Sequence, residues 1–145
     1  MQRTLLPLLL AAIALVAASC EINNGPRNRD VFLGPWQVTD RCLADTQTYR
    51  LDIFEDGGFG EDISLEGDGL YRIGFPITAT VTGARFVIPI QDVVISSVPD
   101  LRYEFTGSGS ISSDGQTLTI DYDVLTLQDG FVIAADQCLL TGVPR

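Results

Sequence analysis

Three cysteines, nineteen carboxylates and no histidine define the chemistry open to this 145-residue chain. Without histidine, Ser-His-Asp catalysis and His-containing zinc sites are excluded. The stretch TGSGSIS at 106–112 carries serines among glycines. It lacks the Gly-x-Ser-x-Gly spacing and has no partner base, so it reads as a strand with Ser108 and Ser110 outward and Gly107 and Gly109 inward. The acidic segment FEDGGFGEDISLEGDG contains Glu55, Asp56, Glu61, Asp62, Glu66 and Asp68. Clustered oxygens on glycine-rich turns suit Ca²⁺, but the spacing does not match a twelve-residue calcium loop. Solvated turns are the simpler reading. A glycosidase with paired carboxylates needs two acids converging on a cleft, usually lined with aromatic rings, and the chain has one tryptophan. No catalytic residue, metal ligand or cofactor is therefore expected.

The first cysteine has a different context. The chain opens MQRTLLPLLLAAIALVAASC, with one charge, Arg3, before an apolar run from Leu5 to Ala18. That run is shorter than the roughly 20 residues a spanning helix needs. A positive start, an apolar middle and small residues before a cleavage point describe a signal peptide over residues 1–19. The sequence AASC resembles the lipobox of bacterial lipoproteins, with Ala17 where leucine is commoner. The resemblance implies cleavage before Cys20, diacylglycerol on its thiol and an acyl chain on the freed amine. One acyl chain anchors only marginally, whereas two or three hold a protein on a bilayer. Glu21 follows, where aspartate would favour inner-membrane retention in some Gram-negative bacteria. The expected location is thus the outer membrane, on either face.

With Cys20 assigned to lipid, Cys42 and Cys138 remain. Exported proteins sit where disulfides persist, so the two are expected to pair. From Cys20 onward the chain carries 8 arginines and no lysine against 19 acids, a net charge of −11. Such a surface repels nucleic acid and anionic headgroups. The expected membrane contact is through acyl chains.

Residues 20–30, with EINNGPRNRD following the cysteine, read as a polar tether, and residues 31–145 as one domain by size. Strand alternation recurs along that domain. Tyr49, Leu51 and Ile53 share a face, as do Ile77, Ala79 and Val81, then Phe86, Ile88 and Ile90, and finally Leu118, Ile120, Tyr122 and Val124. TGA at 82–84 and SSDGQ at 112–116 are hairpin turns. About eight strands are expected, near 35–40, 48–55, 61–66, 76–81, 85–95, 101–112, 116–125 and 131–141. The fold class is all-β: an antiparallel meander closing into a small barrel, with a two-sheet sandwich as the alternative. In a closed even-stranded meander the first and last strands are neighbours, so a Cys42–Cys138 bridge would staple the seam.

The segments GPWQVTDRC, TYRLDI, ATVTGARFVIPIQ, FTGSGSISSDGQTLTIDYDV and the late DQC, in that order, are similar to small bacterial lipoproteins with a lipocalin-like domain, and GPW resembles the Gly-x-Trp that opens lipocalins. The resemblance implies a non-catalytic barrel that takes a small apolar or amphiphilic ligand. The alternatives are an accessory interaction module of the cell envelope and, behind it, a carboxylate-based hydrolase. Trp36 is either a pocket floor or a plug under the first strand. Phe75, Phe86, Tyr103, Phe105, Tyr122 and Phe131 are core candidates. The candidate ligand contacts are Trp36, Phe86, Tyr103, Phe105 and Tyr122, with room left by Gly107, Gly109 and Ala79.

Overall fold

The computed structural model describes residues 28–43, 45–57, 60–69 and 76–145. The leader, Cys20, most of the tether and Phe75 lie outside the described residues. A 3-10 turn, Asn28–Val31, precedes eight strands: β1 (Gly34–Cys42), β2 (Asp45–Glu55), β3 (Asp62–Gly67), β4 (Ile77–Thr82), β5 (Arg85–Ser97), β6 (Asp100–Ile111), β7 (Leu118–Gln128) and β8 (Phe131–Pro144). Each pairs antiparallel with its neighbour in sequence, and β1 pairs with β8, so the sheet is a closed barrel rather than a sandwich.

Alternation builds the interior. Strand β4 reads buried–exposed throughout, with Ile77, Ala79 and Val81 inward. Strand β7 buries Leu118, Ile120 and Val124, and β2 buries Leu51 and Ile53. Inward apolar residues from all eight strands form one cluster. Tight hairpins fix the register: Gly83 (φ 63°) and Gly115 (φ 71°) occupy left-handed positions that glycine adopts freely.

At the lower end of the barrel, where β1 begins, the 3-10 turn belongs to the fold although its residues read as tether. Arg29 is buried, donates its backbone N–H to Glu61 (3.2 Å) and pairs with Glu55 (2.8 Å). Two acids of the acidic segment thus have a structural partner, and Asp62 accepts from the Thr80 hydroxyl at 2.7 Å.

Strand β5 departs from simple alternation. Ile90 was expected inward but is 70% exposed. Ile88 pairs with Gly107, yet Phe105 pairs with Gln91, so β5 has one residue more than β6 in that interval. Pro89, which has no N–H to donate, sits in this bulge. Beyond it the parity flips and Val93 turns inward. Thr78, two residues beyond the last β4–β5 pair (Thr80 with Val87), is served by a side chain: Gln91 Oε1 accepts from the Thr78 N–H (3.0 Å), and its Nε2 donates to the Thr78 carbonyl (2.9 Å). The amide group stands in for a missing peptide.

Candidate functional site: the upper barrel end

The two ends of the interior differ. At the lower end, Trp36 is buried and donates Nε1–H to the Phe32 carbonyl at 2.8 Å, while Phe32 meets Phe86 edge-on at 5.3 Å. Trp36 is therefore part of a packed plug. The expectation that inward glycines leave empty volume is corrected here. The Phe86 ring occupies the place where a Cβ on Gly109 would stand, and a Cβ on Gly107 would run into the β7 backbone at Asp121 and Tyr122. Gly109 makes room for an aromatic ring, Gly107 lets two strands coil closely, and Ala79 is buried.

At the upper end, inward-facing side chains stay partly solvent-reachable. Tyr49, Tyr103 and Tyr122 are half-buried and pack against the core, and Tyr103 meets Phe105 edge-on at 6.3 Å. The five candidate ligand contacts therefore separate: Trp36 and Phe86 belong to the plug, and Tyr103, Phe105 and Tyr122 line the upper interior. Phe131, a core candidate by sequence, is 76% exposed at the start of β8.

The disulfide is present. Cys42 closes β1 and is bonded to Cys138 of β8 across the seam, 96 residues apart. Beside it sits a polar group that sequence reasoning passed over. Asp40 follows Trp36 and Val38 on the inward parity of β1 and is fully buried. Its Oδ2 accepts from the Tyr122 hydroxyl (2.6 Å) and the Tyr49 hydroxyl (3.2 Å). Its Oδ1 is buried with no hydrogen-bond partner. A lone buried acceptor costs about 1–3 kcal/mol, so its retention calls for a reason. The spacing Trp36–Val38–Asp40, read as a strand ending at a bridged cysteine, contains the signal that would have found it.

Burial raises the Asp40 carboxyl above its ordinary value, and the hydrogen bonds from Tyr122 and Tyr49 pull it partly back. Burial, then the Asp40 charge and hydrogen bond, push the Tyr49 phenol up, so Tyr49 stays a donor. Gly67 and Gly69 make room for the Tyr49 ring: a Cβ on either would come within 2.8 Å of it. Asp40, Cys42 and Cys138 place potential metal-ligating atoms within 4.8 Å of one another. Both sulfurs are bonded to each other, so no thiolate is available to a metal there. This is the one such acid-and-cysteine group among the described residues, and the acidic segment at 54–69 forms none.

Fold and site together define a closed, up-and-down, eight-stranded antiparallel barrel, the architecture lipocalins share. No family model matches the chain, and no curated protein matches it. Among solved structures it is similar to EF1p2_mFAP2b bound to DFHBI, at 21% identity and a TM-score of 0.53, covering 82% of this chain and 98% of that one. It also matches a redesigned beta barrel, mFAP1, bound to DFHBI, at 19% identity and a TM-score of 0.47, covering 81% and 99%. The likeness to EF1p2_mFAP2b shows the fold alone.

Proposed function

We propose that this protein is a non-catalytic lipocalin-like lipoprotein, held on the outer membrane by acyl chains on Cys20, whose barrel takes a small apolar or amphiphilic ligand at its upper end. One observation carries the binding reading. Inward aromatic side chains are sealed at the plugged lower end, whereas Tyr103 and Tyr122 at the other end face inward yet reach solvent. A concave apolar surface with a few fixed polar groups is what small-ligand sites require. The similar barrel of EF1p2_mFAP2b is bound to DFHBI, which supports the same use of the fold. The anchor rests on the lipobox-like AASC alone.

Native mass spectrometry of the purified protein after exposure to cell lipid extract tests the binding: a retained adduct is expected, and apo mass alone would refute it. Cys20→Ser is expected to move the protein from the membrane fraction to soluble extract; a variant that still pellets with membranes would overturn the anchor.

A second reading, an accessory interaction module, draws on a different surface. The upper part of β5, the turn after it and the start of β8 expose Val94, Ile95, Val98, Phe131, Val132 and Ile133. Residues Phe131–Gln137 of β8 lie beyond the stretch paired with β1, about 23 Å of strand at about 3.3 Å per residue. On β8, Phe131, Val132 and Ile133 put apolar surface on an edge unpaired with β1, a feature of contact faces.

A further inference from the structure

We propose that the ligand of the upper barrel end is a cationic amphiphile, an alkylammonium whose N–H docks on the unfilled Oδ1 of Asp40 while its chain lies along the apolar inner face beside Tyr103, Phe105 and Val124. The inference rests on the binding reading above and names the class of ligand. Asp40 is fully buried on the inward parity of β1, and both phenols that reach it donate to the same oxygen, Oδ2. The remaining oxygen accepts from nothing. It therefore complements a donor, and a carboxylate partner would set acceptor against acceptor.

Charge favours a cation over a neutral alcohol. Asp136, two residues before Cys138 and on its inward parity, is half-buried at the same end. Among the described arginines, Arg41, Arg50, Arg85, Arg102 and Arg145 are exposed, and Arg29 is held by Glu55 at the lower end. No described cation therefore faces the upper interior to neutralise Asp40. A carboxylate removed from water gains more from an opposite charge than from a neutral donor. The adjacent sulfurs are committed to their bridge, which leaves the carboxylate as the acceptor at this spot.

The test is calorimetric titration of the purified full chain at neutral pH with octylammonium, octanol and octanoate, each below its micelle concentration. The expected order is octylammonium about tenfold or more tighter than octanol, with octanoate weakest; a tenfold ratio is about 1.4 kcal/mol. Asp40→Asn is expected to bring octylammonium down to the octanol level, while Asp121→Asn, which removes an exposed carboxylate from the outer face of β7, retains the order. The wild-type ranking decides the matter even if the Asn variant does not fold. If octanol and octanoate bind as well as octylammonium, or Asp40→Asn keeps the preference, the barrel binds amphiphiles but the assignment to Asp40 falls. If none of the three binds, the binding reading itself fails and takes this inference with it.

Discussion

Tyr122 donates its phenolic proton to Asp40 across 2.6 Å and 82 residues of chain, tying β7 to β1 through the barrel interior. The seam is thus held by three kinds of bond at one end: the β1–β8 ladder, the Cys42–Cys138 bridge and a buried phenol–carboxylate contact. The bridge and the phenol contact are each separable by mutation.

Tyr122→Phe removes a donor from a buried carboxylate and is expected to cost about 1.5–3 kcal/mol. Tyr49→Phe, whose bond is longer at 3.2 Å, is expected to cost less. Urea unfolding of the two variants checks the order; an equal or reversed cost would show that the Tyr122 contact contributes little.

The Asp40 carboxyl titrates above its ordinary 3.8 in the folded protein, because burial outweighs the phenol hydrogen bonds. The folded state then holds this proton more tightly than the unfolded chain does. The contribution is largest below pH 3.8 and is lost as pH rises through the folded value. Relative to Asp40→Asn, the wild type should therefore gain stability as pH falls from 7 toward 4. Unfolding both proteins across that range gives the difference directly, and a gap that moves the other way contradicts a buried acid.

Gly109→Ala places a methyl group in the Phe86 ring and is expected to destabilise by about 1–3 kcal/mol through overpacking. Phe86→Leu in the same chain should recover part of that loss. A double-mutant cycle reads the coupling; additive costs would mean the ring does not fill the glycine's place.

Much of this architecture is legible in the sequence. The clean alternation of β7 and β4, the hairpin turns at Gly83 and Gly115, and the position of Cys138 in the last strand point to a closed meander. What escapes is local and has physical causes. Pro89 inserts a bulge, so period-two reading places Ile90 on the wrong face and loses the turn inward at Val93. Phe131 looks like core because aromatic residues usually are, yet β8 begins beyond the stretch that pairs with β1, where it is bonded to β7 alone. Glycine at an inward position reads equally as a void or as a seat for a neighbour's ring, and only Phe86 decides between them. Asp40 is inward by parity alone, and a lone acid on a short strand reads by default as solvent-facing.

Loss of the bridge in Cys42→Ala/Cys138→Ala frees a loop spanning 96 residues. Chain entropy sets an upper figure of about 4.7 kcal/mol for a loop near that length, and about 2–5 kcal/mol is the expected loss. Alkylation of the denatured, unreduced protein should leave both cysteines unmodified. Labelling of both would remove the staple from the account.

Ligand entry at the upper end is most directly tested by NMR of the full chain with labelled tyrosine and tryptophan rings, titrated with octylammonium. The Tyr103 and Tyr122 signals are expected to shift with saturation, while the single Trp36 indole, held by the Phe32 carbonyl in the plug, stays in place. A shift at Trp36 with the tyrosines unmoved, or no shift at any ring, would contradict a binding site between Tyr103 and Asp40.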